Sequence, residues 1–185
     1  MLRAWLLFFS LSLSLSVSAA SIFPDGYDGE FKDAAMFLPV GTDWRLLKAQ
    51  CYQESRLDPL AVSPVGAMGL CQFMPGTWSD MQRNHPELTS AWIPEQSIRA
   101  AAYYMGQLNR FWSAPRPAMD RYMLALASYN AGAGHLVKAQ RLAGGANHYA
   151  PIARELPRVT GRHSEETINY VENIVGRWWP AMLFE

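Results

Sequence analysis

The feature that most constrains this sequence is a single glutamate followed directly by a segment that cannot be helical. Upstream of Glu54, residues 44–52 show apolar positions spaced three and four apart, which predicts an amphipathic helix with Thr42 as its N-cap. Residues 59–75 are rich in proline, glycine and small side chains. This composition predicts a loop or short hairpin laid across the end of the helix that carries Glu54.

Glu54 is expected to hold its proton to an unusually high pH. The negative end of the helix dipole and the apolar face of the helix both disfavour the ionised carboxylate, so its pKa should be raised. A carboxylic acid that remains protonated near neutral pH is what the protonation of a leaving oxygen requires. The competing interpretation is a surface glutamate beside Arg56.

The N-terminus has the pattern of a secretory signal peptide. Arg3 gives a short positive region, an apolar run follows, and small residues precede a predicted cleavage site after Ala20. The apolar core is about 14 residues long, shorter than the ~20 that span a bilayer. We therefore predict a signal peptide at residues 1–20 and one domain at residues 21–185, the alternative being an uncleaved N-terminal anchor.

Charge and histidine spacing argue against two classes of ligand. The chain has 16 basic and 16 acidic residues, with no basic stripe, so nucleic acid is not an expected partner. None of the four histidines has a His or Cys neighbour at a metal-site interval, so neither a metal nor a cofactor is predicted. These are His85, His135, His148 and His163.

Two cysteines flank the glutamate and its loop. Cys51 lies one helical turn before Glu54, and Cys71 lies within the loop. In an oxidising compartment they could form a disulfide that ties the helix to the loop. Two separate buried thiols are an equal alternative at this point, because sequence separation does not determine Cβ geometry.

The rest of the chain is predicted to be helical. A short helix should begin at a Thr77 cap, and a final helix should run from a Ser164 cap through Trp178. Others are predicted at residues 96–111, 119–130 and 135–142. No repeat or second domain is evident, so the chain is predicted to be mainly α.

Two later segments place polar groups at helix ends. Tyr129 and Asn130 precede a glycine turn, and Tyr170 lies one turn into the final helix. Taken alone, each is explained by a tyrosine bonded to the backbone or by an asparagine C-cap.

Taken together, these segments resemble the soluble lytic transglycosylase family, whose catalytic domain is similar to goose-type lysozyme. Four family motifs occur in order: Glu54-Ser55, residues 69–72, residues 128–130, and the Tyr170 region. Residues 63–67 also match the intervening loop of the family, and the resemblance covers roughly residues 30–178. The chain departs from the family pattern at Cys71, where Met is usual, and at Ser128, where Ala is usual.

The resemblance implies a mainly α, lysozyme-like helical domain with a small loop or hairpin region over the active-site groove. It implies cleavage of the β-1,4 bond between N-acetylmuramic acid and N-acetylglucosamine of peptidoglycan, leaving a 1,6-anhydro ring. Glu54 would act as acid and then as base, Tyr170 would orient it, and Ser55 would support the helix end. The positions that correspond to sugar-contacting or supporting residues are Ser63, Gln72, Met74, Tyr129 and Asn130.

Two other functions are weighed against this one. Hydrolysis needs a second carboxylate, and the candidates in sequence are Asp58, which is better explained by an Asx turn, and Asp80, which is better explained as a solvated residue. A peptidoglycan-binding protein without turnover is the second alternative. Glu54→Gln separates binding from cleavage.

The expected setting is the bacterial envelope. An exported, periplasmic or envelope-located monomer is predicted, acting on glycan strands in wall remodelling, in a secretion or conjugation apparatus, or in a bacteriophage. The apolar tail at residues 178–184 is predicted to pack on the core, the alternative being membrane association.

Overall fold

The computed structural model describes residues 22–184, so the predicted signal peptide at residues 1–20 lies outside the described residues. Helices dominate these residues, which confirms the mainly α prediction. In chain order they are α1 (Asp28–Ala34) with a 3-10 turn (Ala35–Phe37), α2 (Trp44–Ser55), α3 (Pro75–Asn84), α4 (Pro94–Phe111), α5 (Ala118–Ala131), α6 (Ala133–Leu142), α7 (Tyr149–Glu155), α8 (Pro157–Thr160), α9 (His163–Asn173), a π-helical turn (Ile174–Trp178) and α10 (Trp179–Leu183). None of the helices in residues 22–184 is long and apolar enough to cross a membrane.

Helix α4 supplies much of the core. Its apolar face at Ile98, Ala101, Ala102 and Met105 is fully buried. Alanine at the middle positions lets neighbouring helices approach closely, and burial of the whole face supplies the hydrophobic stabilisation. This packing holds α5, and with it α9, in fixed places relative to α2.

Three predicted helix caps are wrong, each by one to three residues. Asp43, not Thr42, caps α2, because it has the extended backbone of an N-cap and its carboxylate accepts from the Arg45 N–H at 3.0 Å. Helix α3 begins at Pro75 before Thr77, since proline is favoured in a first turn where its missing N–H costs nothing.

The third correction concerns the last helix. Helix α9 begins at His163, so Ser164 lies inside it, and its hydroxyl donates to the Gly161 carbonyl at 2.7 Å. The α-helical geometry also ends at Asn173 and gives way to the π-helical turn, so the predicted single helix through Trp178 changes its winding before it ends.

Residues 56–74 form the predicted non-helical segment over the end of α2. Antiparallel bridges join Val62 to Met68 and Met68 to Phe73, as in a rudimentary hairpin. Gly69 has φ +72°, and a Cβ there would lie 2.1 Å from the Ala91 carbonyl oxygen. Glycine is therefore required sterically at this turn, where the loop packs against the segment leading into α4.

Two links tie this loop to α2. A disulfide joins Cys51 to Cys71. The Ser55 hydroxyl donates to the Leu70 carbonyl at 2.6 Å, as expected of a residue that supports the helix end. The helix carrying Glu54 and the loop opposite it are thus held as one unit.

The C-terminal segment packs partly on the core. Met182 is buried, while Phe184 is 89% exposed. The Trp179 indole N–H donates to the Asp43 carboxylate at 3.2 Å, which connects α10 to the start of α2.

Candidate active site

Glu54 is the penultimate residue of α2 and meets Tyr170 from α9. The Tyr170 hydroxyl donates to Glu54 Oε1 at 2.6 Å, across 116 positions of sequence. Burial, followed by the nearby Glu54 carboxyl, raises the pKa of Tyr170 well above its ordinary value, so this hydroxyl keeps its proton and acts as the donor. The two residues that the resemblance pairs are therefore in direct contact.

The carboxyl of Glu54 is unusually difficult to ionise. Burial raises the pKa of Glu54 to about 7, opposed by the hydrogen bond from Tyr170 and assisted by the carboxylate of Glu166. The expected upward shift is found, and its largest cause is desolvation, not the helix dipole. Near neutral pH this group exchanges its proton readily in both directions.

Tyr129 from α5 supports the loop opposite Glu54. Its hydroxyl donates to the Cys71 carbonyl at 2.8 Å, and burial raises its pKa well above the ordinary value, so it stays a donor. Its ring packs edge-on to Phe73, with 5.9 Å between centroids. Tyr129 therefore fixes the position of the segment that follows the disulfide.

Gln72 braces the same loop. Its side-chain amide donates to the carbonyls of Ala61 and Gly69, at 3.0 and 2.9 Å. Its backbone has φ 52°, a left-handed conformation that is uncommon outside glycine and needs such support. These two hydrogen bonds use both N–H groups of the side-chain amide, and Gln72 itself lines the cleft.

The side chains of Ser63 and Asn130 each accept one hydrogen bond. Ser63 Oγ accepts from the Ala67 N–H at 2.9 Å, which closes the turn at residues 63–67. Asn130 Oδ1 accepts from the Thr167 hydroxyl at 2.7 Å, so the asparagine joins α5 to α9 and does not act as a simple C-cap.

All seven residues predicted for catalysis or sugar contact line one cleft with a volume of about 350 Å³. The side chains that line it come from the end of α2, the loop that ends at Met74, the end of α5 and α9. They are Gln53, Glu54, Ser63, Val65, Ala67, Gln72, Met74, Tyr129, Asn130, Glu166 and Tyr170.

Glu166 and Gln53 are cleft residues that the sequence reasoning missed. Glu166 lies one helical turn before Tyr170 on α9, so this spacing places both on one face and could have identified it. Gln53 Oε1 accepts from the Trp178 indole N–H at 2.6 Å. No signal in the sequence pairs Gln53 with Trp178.

The two carboxylates considered from sequence lie elsewhere. Asp58 accepts from the Leu60 N–H at 2.9 Å, which is the predicted Asx turn. Asp80 forms an exposed ion pair with Arg83 on α3. Of the acidic groups in residues 22–184, it is Glu166 that lines the cleft together with Glu54.

The raised pKa of Glu54 predicts a pH-dependent effect of Glu54→Gln on stability. The unfolded chain releases this proton near 4.5 and the folded protein near 7, so the contribution to stability is complete below 4.5 and is lost as pH rises through about 7. Relative to the Gln variant, the unchanged protein should lose on the order of 2 kcal/mol of unfolding free energy between about pH 5 and about pH 8. This loss is smaller than the full pKa shift would give, because solvent screens a side chain that is partly exposed. Denaturant unfolding at both pH values measures this difference. An identical difference at both would contradict the assignment of the raised pKa to Glu54.

Known proteins resemble this chain in sequence and in fold. The profile of the Transglycosylase SLT domain matches residues 39–151. The chain is 34% identical over 147 residues to membrane-bound lytic murein transglycosylase F of Pectobacterium atrosepticum, covering 71% of this chain and 30% of that protein. It is 37% identical over 135 residues to the protein of the same name from Alcanivorax borkumensis, covering 71% of this chain and 27% of the relative.

The fold has a solved counterpart. The 70 kDa soluble lytic transglycosylase from Escherichia coli superposes with a TM-score of 0.70 and 25% identity, covering 88% of this chain and 25% of that one. This confirms the lysozyme-like helical fold implied by the resemblance. The chain thus spans less than a third of the length of the curated relatives it matches. From the profile match and the relatives together, the chain belongs to the transglycosylase SLT domain family.

Proposed function

We propose that this protein is a peptidoglycan lytic transglycosylase. It would cleave the β-1,4 bond between N-acetylmuramic acid and N-acetylglucosamine and leave a 1,6-anhydro-muramoyl end. Family membership supports the substrate and the reaction class. The observation that carries the proposal is Glu54, a carboxyl whose pKa is raised to about 7 in a cleft of family-motif residues.

In this mechanism Glu54 acts twice. As the protonated acid it donates to the glycosidic oxygen while the bond from that oxygen to C1 of the muramoyl residue breaks. The resulting carboxylate then takes the proton of the muramoyl 6-hydroxyl, whose oxygen bonds to C1 and closes the ring. The proton count on Glu54 is restored, and no water is consumed.

One residue can serve both steps because of its pKa. A group that titrates near the working pH is both an effective acid and an effective base. An attached 6-hydroxyl also avoids the entropic cost of capturing and orienting a separate nucleophile. The reaction therefore asks no more of the protein than one carboxyl and a cleft that holds the strand.

Tyr170 would orient Glu54 for this exchange, and Tyr170→Phe tests that role. Without the hydrogen bond that lowers the pKa of Glu54, that pKa should rise further, so the alkaline fall in activity should move to higher pH. The rate should drop by about tenfold to a hundredfold, as expected for a misplaced general acid and base. A pH–rate profile on purified peptidoglycan measures both effects.

Tyr149→Phe is the matched control for Tyr170→Phe. Tyr149 is a buried tyrosine on α7, and its hydroxyl has no hydrogen-bond partner among the described residues. The control should keep the pH profile of the unchanged protein. A Tyr170→Phe profile that coincides with it would remove Tyr170 from its positioning role.

The other predicted residues would hold the sugar strand. Met74, immediately before α3, is 43% exposed and offers an apolar contact to a sugar face. The side-chain oxygen of Gln72, together with the polar groups of Ser63 and Asn130, would bond hydroxyl and acetamido groups. Tyr129 would act mainly by fixing the loop through its bond to the Cys71 carbonyl.

Hydrolysis is the second candidate, and Glu166 is the observation that favours it. A hydrolytic muramidase generally needs a second carboxylate to activate water or to attack C1. Glu166 lines the cleft and acts on the charge of Glu54. A binding protein without turnover is the remaining alternative.

Mass spectrometry of muropeptides released from purified peptidoglycan separates these functions. We expect products lighter by one water than hydrolytic products. Reducing muramic acid ends would contradict the transglycosylase proposal and make Glu166 the first carboxylate to replace. Strand binding with no release would support the binding protein.

The same proposal places the protein in the cell envelope, where its substrate lies. The signal-peptide pattern at residues 1–20 and the Cys51–Cys71 disulfide both fit export to an oxidising compartment. Wall remodelling, an envelope-spanning apparatus and phage lysis all present this substrate.

A further inference from the structure

A cationic aromatic surface adjoins the cleft at Gln53. It consists of the Trp178 ring and the guanidinium groups of Arg56 and Arg177, and we call it the Trp178 platform. The guanidinium carbons lie 4.8 Å and 4.2 Å from the centroid of the Trp178 ring. The Trp178 indole N–H donates to Gln53, which lines the cleft, so the platform lies directly beside the cleft.

Both arginines of the platform lack a carboxylate partner. Within residues 22–184, neither Arg56 nor Arg177 has an acidic oxygen within the 4.0 Å that defines an ion pair, although both are exposed. Asp58, two residues from Arg56, bonds instead to the Leu60 N–H. Other arginines of the chain do form ion pairs, namely Arg45, Arg83, Arg99 and Arg158.

The backbone on both sides of the platform departs from regular geometry. Arg56 and Leu57 are consecutive non-glycine residues in the left-handed region, with φ 60° and 64°. Such residues persist only where surrounding contacts determine them, here the burial of Leu57 and the packing of Arg56 on Tyr52 and Trp178. Arg177 and Trp178 end a π-helical turn, a rare winding that is frequent at functional sites.

Two unpaired guanidiniums next to a glycan cleft match one kind of group on the strand. A guanidinium presents its N–H groups in a planar fork that fits a carboxylate with two parallel bonds. In peptidoglycan, carboxylates are carried on the lactyl arm of muramic acid, either as the free lactyl acid or as acidic groups of the attached stem peptide. Chitin strands have the same sugar backbone without that arm.

We propose that the Trp178 platform binds a carboxylate carried on the lactyl arm of a muramic acid residue held in the adjoining cleft. This inference rests on the proposed function and adds to it a determinant of substrate choice. The platform would let the protein prefer muramic acid strands over neutral N-acetylglucosamine strands, through contacts remote from the bond that breaks.

The test measures binding in a Glu54→Gln background, so that no strand is cleaved. Three probes are compared by calorimetry: a chitin oligosaccharide, peptide-free glycan strands with free lactyl acids, and peptide-bearing strands of the same length. Arg56→Gln with Arg177→Gln should weaken binding of the anionic probes by about tenfold and leave chitin binding unchanged. The anionic probe that loses more affinity identifies the source of the carboxylate.

Two further variants separate recognition from stability. Arg56→Lys with Arg177→Lys keeps both charges and should retain part of the preference for anionic strands, while its melting temperature reports any loss of packing on Trp178. Arg154→Gln removes an exposed arginine on α7, away from the cleft, and should leave the affinities for all three probes unchanged.

Three outcomes would contradict the inference. Anionic binding that survives loss of both charges, with chitin binding intact, overturns the inference and leaves the proposed function standing. Equal weakening for all three probes also overturns it, because the arginines would then act through the fold. Failure of the Glu54→Gln protein to bind any probe overturns the proposed function, and this inference with it.

Discussion

Glu54→Gln is expected to lower the rate of peptidoglycan cleavage by at least about a hundredfold while leaving strand binding largely intact. Glutamine keeps the shape of the side chain and can still accept from the Tyr170 hydroxyl, but it cannot give a proton to the glycosidic oxygen or take one from the 6-hydroxyl. Release of soluble muropeptides measures turnover, and sedimentation with insoluble peptidoglycan measures binding.

Glu95→Gln is the matched control for this loss. Glu95 is an exposed glutamate on α4 that pairs with Arg99, outside the cleft. The control should release muropeptides at the rate of the unchanged protein. Undiminished release by Glu54→Gln would remove Glu54 from the chemistry and leave Glu166 as the carboxyl to examine.

Removing the disulfide is expected to have the second largest effect. The bond joins residues separated by 20 positions, and a loop of this length contributes about 3 kcal/mol in the chain-entropy account. Cys51→Ser with Cys71→Ser should therefore lower the melting temperature by roughly 10 °C for a domain of this size. Thermal unfolding followed by circular dichroism measures the shift.

Activity should fall with the same change. The disulfide holds the loop against α2, next to the Ser55 bond to the Leu70 carbonyl and the Tyr129 bond to the Cys71 carbonyl. A looser loop would misplace Gln72 relative to Glu54. Reducing agent should reproduce the loss in the unchanged protein and add nothing in the double variant. Equal melting temperatures for the two proteins would show that the bond contributes nothing to stability.

Much of the local structure could be read from the chain. The helix that ends near Glu54, the non-helical segment over it and the helix that begins at Pro94 all follow from apolar spacing, proline and glycine. The errors were in caps, at Thr42, Thr77 and Ser164. A neighbouring polar residue, Asp43, caps α2, whereas α3 and α9 begin before the predicted residues without any side-chain cap, so a polar residue near a helix start does not by itself fix the boundary.

The site required a resemblance and then the tertiary structure. The order of the family motifs predicted that Tyr170 contacts Glu54. Their 2.6 Å hydrogen bond spans 116 positions, however, and depends on how α2 packs beside α9. The same packing brings Glu166 into the cleft. Nothing in the spacing of α9 alone indicates which of its faces meets Glu54.

By itself, the sequence determined the helix that carries Glu54 and the loop that covers its end, since these depend on interactions between residues close together in the chain. The tertiary structure alone decided that Cys51 pairs with Cys71, that desolvation dominates the pKa of Glu54, and that Trp178 reaches Gln53. These depend on which distant surfaces meet when helices pack. A local pattern of apolar and polar residues can show that a helix face is buried, but the partner of that face is selected only by the packing of the whole domain.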